Sequence, residues 1–103
     1  MYYTYMLRCL DNLIYTGMTN NLEKRINQHV LKEKSGAKYT KSHNAIRLEA
    51  AWKSKDKSLA CKLEYQIKNL TKVQKENLIR GEKLSTYLSG KVDCRRYKKI
   101  NCG

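Results

Sequence analysis

The chain has 103 residues, with 22 Lys and Arg against 9 Asp and Glu and a formal net charge of +13. That length fits one domain around one small α/β core and excludes two independent cores. An apolar fraction of 41%, arranged in periodic segments, excludes a disordered basic tail.

The chain opens as a hairpin. Tyr3, Tyr5 and Leu7 alternate with Thr4, Met6 and Arg8, and Tyr and Thr favour strands. Leu10-Asp11-Asn12 supplies a polar turn, and a second strand runs from Leu13 through Tyr15 and Thr16 to Gly17. A helix follows, capped by Asn20 or Asn21, with Leu22, Ile26 and Val30 as its buried stripe and an end near Lys34. Residues 36–44 are polar, basic and aperiodic, which reads as a loop. A third strand is expected over Arg47–Trp52, followed by a second helix starting at Asp56 or Ser58 with Leu59, Ala60, Leu63, Ile67 and Leu70 inward. Thr71-x-x-Gln74 reads as a capping box opening a third helix through Val73, Leu78 and Ile79, interrupted by Gly81. Leu84, Tyr87 and Leu88 allow one or two further helical turns. The stretch from Gly90, with Lys91, Arg95, Arg96, Lys98 and Lys99, reads as a loose basic extension. The expected architecture is α+β, a small three-stranded antiparallel sheet with about three helices over residues 1–89, then a basic C-terminal extension over 90–103.

No run approaches the roughly 18 apolar residues of a membrane span, and the first residues lack the basic and apolar regions of a secretory signal. Cys9, Cys61, Cys94 and Cys102 form no C-x-x-C pair, so free thiols in a reducing intracellular compartment are expected rather than a zinc site or a disulfide framework. The large positive charge points to an anionic polymer, nucleic acid first, because each phosphate neutralised releases counterions along the lattice.

Three constellations can carry chemistry. On the first helix, with Leu22 at 0°, Arg25 falls at about 300° and His29 at about 340°, side by side at the rim of the buried stripe. On the second helix Glu64 sits on the border of the apolar face, where a carboxylate suits a hard cation such as Mg²⁺ as well as a salt bridge to Lys68. On the strands, Tyr3 and Tyr5 share a face and the hairpin can bring Tyr15 opposite them, where a phenol can hydrogen-bond a water or accept a proton.

Their order along the chain sharpens the reading. Tyr3-Thr4-Tyr5, nine residues, Tyr15-Thr16-Gly17, then Arg25 and His29, then Glu64 resembles the GIY-YIG nuclease family over residues 2 to about 80. Lys38-Tyr39-Thr40 and the segment Leu70-Thr71-Lys72-x-Gln74-Lys75-Glu76 look like its small stand-alone YhbQ-like branch. The first tripeptide departs from the family pattern at Tyr3-Thr4 and the second at Thr16. Met18 stands where some members carry a Lys, and both Asn69 and Asn77 are candidates for the asparagine that some members place beyond the glutamate.

The resemblance implies a phosphodiester hydrolase acting on DNA, structure-selective or weakly sequence-selective, in DNA repair or processing. It implies Tyr5, Tyr15, Arg25, His29 and Glu64 as catalytic residues and Glu64 as ligand of Mg²⁺ or Mn²⁺. It leaves open which tyrosine is the base, with a slight preference for Tyr5. Lys24, Lys38, Tyr39, Lys41, Lys68, Arg95 and Arg96 are the candidate nucleic-acid contacts. The expected partner is branched, flapped or single-stranded DNA, with no membrane partner, and the chain is expected to be a monomer or weak dimer. The alternative is a non-catalytic nucleic-acid-binding module using the same basic face.

Overall fold

A computed structural model describes residues 1–30 and 45–100, without the side chains of His29 and Val30. In chain order the elements are β1 (Tyr2–Cys9), β2 (Ile14–Thr19), α1 (Leu22–Val30), β3 (Ala45–Ser54), α2 (Lys57–Lys68), α3 (Lys72–Ile79), α4 (Leu84–Leu88), a 3-10 turn (Cys94–Arg96) and β4 (Lys98–Lys99). The fold is α+β with an antiparallel sheet in the order β2-β1-β3-β4. The expected extension of the first helix to Lys34 and the 36–44 loop lie outside the described residues.

The hairpin forms because Asn12 accepts a left-handed backbone, φ 64°, at the turn. Its amide donates to Cys9 O at 2.9 Å, and the Cys9 amide donates to Leu13 O at 3.0 Å. Asn21, rather than Asn20, caps α1, its Oδ1 accepting from the Lys24 amide at 3.1 Å. Asp56, rather than Ser58, caps α2 through the Leu59 amide at 2.9 Å. The capping box of α3 is present in both directions, Gln74 N to Thr71 Oγ1 at 3.2 Å and Thr71 N to Gln74 Oε1 at 3.0 Å.

Two cores lie on the two faces of the sheet. On one, Met6, Ala50 and Trp52 meet Leu63 and Ile67 of α2, with Leu78, Leu84, Leu88 and Tyr97 around them. On the other, Tyr5, Leu7, Ala45 and Ala51 pack with Leu22 and Ile26 of α1. Helices cover both faces, so β1 is buried continuously from Thr4 to Cys9.

Three expectations are corrected. The sheet has four strands rather than three, because β4 pairs with β3 through Trp52↔Lys99 and Lys53↔Lys98. The stretch after Gly90 is not loose over residues 90–100. Tyr97 is buried and its hydroxyl donates to Leu59 O at 2.6 Å, while the Ile100 amide donates to Ala51 O at 2.8 Å. Removing it takes Tyr97 out of the core. Val73, expected in the third helix's apolar series, is exposed, and Leu78 is the residue that helix buries.

One buried polar atom is left over. Thr16 is almost fully buried, and its hydroxyl makes no hydrogen bond among the described residues. A buried unsatisfied hydroxyl costs about 1–3 kcal/mol, and an isosteric apolar replacement removes that cost. Thr16→Val is therefore expected to stabilise the fold by about 1 kcal/mol, raising Tm by about 4–8 °C for a domain of this size. Calorimetry showing an unchanged or lower Tm would contradict this reading of Thr16.

Candidate active site

The site is built on the β1–β2 hairpin. Tyr5 sits in mid-β1 with Gly17 as its direct cross-strand partner, while Tyr15 pairs with Leu7 one step along. Tyr5 and Tyr15 therefore occupy diagonal positions on the face that α1 covers. Their ring centroids are 6.3 Å apart at an interplanar angle of 46°.

Gly17 makes this arrangement possible, and no role was assigned to it from sequence. A Cβ at position 17 would lie 2.7 Å from the Tyr5 hydroxyl oxygen, 2.8 Å from Tyr5 Cζ and 3.1 Å from a Tyr15 ring carbon. The Tyr5 ring tip thus rests on the bare backbone of β2, and glycine is required by close approach rather than by backbone conformation. The signal was present in the sequence as a glycine facing a tyrosine across a hairpin. Gly17→Ala is expected to cost about 1–3 kcal/mol through overpacking and to displace the Tyr5 hydroxyl. Reduced Tm with an altered tyrosine near-UV circular dichroism band checks it; a variant indistinguishable from the parent in both would not fit.

The Tyr5 phenol is buried, and that burial pushes its pKa well above the ordinary tyrosine value. Tyr15 adds to the rise, Arg25 pulls the other way, and Glu64 raises it further. Arg25 of α1 and Glu64 of α2 thus lie within electrostatic reach of the Tyr5 phenol. The structure therefore brings four of the five expected site residues together: Tyr5, Tyr15, Arg25 and Glu64. His29 belongs to the last turn of α1, but its side chain lies outside the described set.

Glu64 is partly buried, with 23% of its side chain exposed, and Oε2 lies 3.2 Å from Lys68 Nζ. The expected ion pair to Lys68 therefore forms, on a carboxylate that is also within electrostatic reach of Tyr5. Among the described residues no three His, Cys, Asp or Glu side chains converge, so no all-protein metal cage exists there. A lone carboxylate fits Mg²⁺ or Mn²⁺, which are commonly held by one or two carboxylates with substrate oxygens and water completing the shell.

The expected nucleic-acid contacts divide. Lys24 is exposed on α1 and Lys68 on α2, both on elements that carry site residues. Arg95 and Arg96 are exposed on the C-terminal segment, which packs against the Leu59 end of α2 and pairs with the β3 edge through β4. Arg95 is paired with Asp93 at 3.1 Å. Lys38, Tyr39 and Lys41 lie outside the described residues. No helix among the described residues is long and apolar enough to cross a membrane.

Comparison with known proteins identifies relatives of the chain. Residues 1–77 match the model of the GIY-YIG catalytic domain. A UPF0213 protein of Fusobacterium nucleatum is 46% identical over 78 residues, 76% of each chain. The UPF0213 protein YhbQ of Salmonella arizonae is 41% identical over 78 residues, again 76% of each. The solution NMR structure of a UPF0213 protein from Bacillus halodurans superposes with a TM-score of 0.51 at 34% identity, covering 90% of this chain and 98% of that one.

Proposed function

This chain belongs to the GIY-YIG family, in its UPF0213 branch, and we propose that it is a divalent-metal-dependent endonuclease hydrolysing DNA phosphodiester bonds in repair or processing. The observation that carries the reading is the Tyr5–Tyr15 ring pair, 6.3 Å apart, with Arg25 and Glu64 within electrostatic reach of the buried Tyr5 phenol. Phosphodiester hydrolysis builds negative charge on the non-bridging and leaving oxygens, and preorganised cations stabilise it most. Arg25, half-buried at the rim of α1, offers a planar fork to a non-bridging oxygen. Glu64 would hold Mg²⁺ or Mn²⁺, which when bound supplies Lewis-acid stabilisation of the leaving oxygen. As the scissile phosphate arrives, Lys68 exchanges the Glu64 carboxylate for a phosphate oxygen.

The tyrosines take different parts. A phenol whose pKa is raised stays protonated at neutral pH, so Tyr5 serves as a hydrogen-bond donor that orients the attacking water. That moves the proton-accepting role from Tyr5, the residue slightly preferred on sequence, toward Tyr15 and His29. Structure selectivity fits a chain whose remaining cations are spread over its surface as sequence-blind phosphate contacts.

A second reading has one observation in its favour: the Glu64–Lys68 ion pair occupies the carboxylate, as expected of a binding module with idle chemistry. Incubating the protein with flapped or branched DNA and Mg²⁺ or Mn²⁺, beside Glu64→Ala, separates the two. The nuclease produces cleavage that the variant loses. Binding without cleavage by both proteins would leave the module.

A further inference from the structure

A second basic feature lies on the far flank of α2. Between that helix and the C-terminal segment runs a cleft of about 470 Å³, lined by Leu59, Lys62, Lys91, Asp93, Arg96 and Tyr97 among others. Three cations and one acid face it. The acid is already engaged, because Asp93 Oδ1 accepts from Arg95 Nε at 3.1 Å and from the Arg95 amide at 3.2 Å. The cleft therefore presents net positive charge, on walls fixed by the Tyr97 hydroxyl bond to Leu59 O. Its volume falls within the range of roughly 300–1,000 Å³ typical of ligand pockets.

α2 connects this cleft to the tyrosine site. At about 100° per residue, Lys62 and Glu64 lie about 160° apart, on nearly opposite flanks of the helix. The solvent-facing arc between them carries Lys57, Cys61, Tyr65 and Lys68, all exposed, and no acid. Tyr65 is a 65% exposed aromatic in the middle of that arc. The path is cationic at both ends and aromatic at its crest.

From these placements we infer that α2 carries an unpaired nucleic-acid strand from the Glu64 side, with a base stacked on Tyr65 and phosphates held by Lys62, Lys91 and Arg96. The inference rests on the nucleic-acid reading above and names the substrate's form: DNA with a single-stranded arm. Cationic tracks with exposed aromatics bind single strands, because every base has a face to stack. A base within a duplex is already stacked, so Tyr65 gains most from an unpaired one.

The test uses the full chain carrying Glu64→Ala, in EDTA, so that binding is read apart from cleavage. Fluorescence anisotropy compares a labelled 20-nucleotide oligo(dT) with a duplex of equal length. Lys62→Ala, Lys91→Ala and Arg96→Ala together are expected to weaken oligo(dT) binding by at least ~10-fold. They should also flatten its log–log salt slope by about 2, at about 0.7 per single-strand phosphate contact. Tyr65→Ala should weaken oligo(dT) binding about tenfold and duplex binding little, with Tyr65→Trp restoring it. Circular dichroism melting confirms that each variant is folded. Unchanged oligo(dT) binding in the triple variant, or equal losses for duplex and single strand in Tyr65→Ala, overturns the inference. Cleavage by the parent chain with unaltered binding in these variants would sink the strand path and leave the nuclease standing. Loss of binding as expected, with no cleavage by the parent, would do the reverse.

Discussion

Arg25→Ala is expected to lower single-turnover cleavage of a flapped DNA by about 100- to 1,000-fold, the loss typical of removing one preorganised transition-state donor. α1 sets the position of Arg25. Its N-terminus is fixed by Asn21, whose Oδ1 accepts from the Lys24 amide and whose carbonyl accepts from the Arg25 amide at 3.1 Å. The helix is then seated by Leu22 and Ile26 on the Tyr5 side of the sheet. Arg25 emerges at the rim of that contact, half-buried and near enough to Tyr5 to lower its pKa. A guanidinium held there meets charge that develops only in the transition state, so its loss falls on the rate more than on DNA affinity. Arg25→Lys keeps the charge but loses the planar fork, and should recover only part of the rate. The pair should melt close to the parent, since neither variant opens the Leu22–Ile26 contact. Cleavage by Arg25→Ala at the parental rate would remove Arg25 from the site. A rate loss matched by an equal rise in Kd would make it a simple phosphate contact.

Periodicity puts Arg25 and Glu64 at the edges of apolar helical stripes, whereas Tyr5 and Tyr15 stand out only through the resemblance carried by their order along the chain, Tyr5 itself being buried in the core. What periodicity could not supply was the fit of the Tyr5 ring over Gly17, since a missing side chain leaves no pattern beyond the glycine itself. The two caps that were offered as alternatives were decided only by which side chain reaches the right amide, Asn21 and Asp56. β4 escaped notice because two lysines make neither an alternation nor an apolar run. Its lysines suit a short edge strand, where charge discourages further pairing. The tail was misjudged because its charges outnumber its anchors, yet Tyr97 is enough to bind it to the core. Alternation gave Arg8 no role, and its burial follows from helices covering both sides of the sheet, which leaves β1 buried from Thr4 to Cys9.

Arg8 is therefore where the largest loss of stability is expected. It is 8% exposed in a nearly closed charge network. Its Nε donates to Glu49 Oε2 at 3.0 Å, one guanidinium arm donates to Asn12 Oδ1 at 3.1 Å, and both arms grip Glu76 at 2.6 and 2.5 Å. Lys72 closes the ring by donating to the Asn12 carbonyl. One side chain thus ties the hairpin turn, β3 and α3 together. Arg8→Met leaves Glu49 with only the exposed Arg47, at 3.0 Å, and Glu76 with only Lys72, at 4.0 Å. Breaking a buried pair in this way costs about 3–5 kcal/mol, and Glu76, still 21% exposed, puts this case near the lower bound. About 3 kcal/mol is a large share of the roughly 5–15 kcal/mol that holds a small domain. Urea titration should show the midpoint falling sharply at unchanged slope. Adding Glu76→Leu should recover part of the loss by removing a stranded charge.

The same network sets the acid limit. Hydrogen bonds from Arg8 hold the Glu76 carboxyl below its ordinary value of 4.5. A depressed folded-state pKa gives stability that is present above the unfolded value and lost as pH falls through the folded one. The urea midpoint should accordingly hold near neutral pH and decline below about pH 4.5. In Arg8→Met/Glu76→Leu that decline should be shallower, and equal pH profiles for the parent and the double variant would show that this pair does not govern acid unfolding.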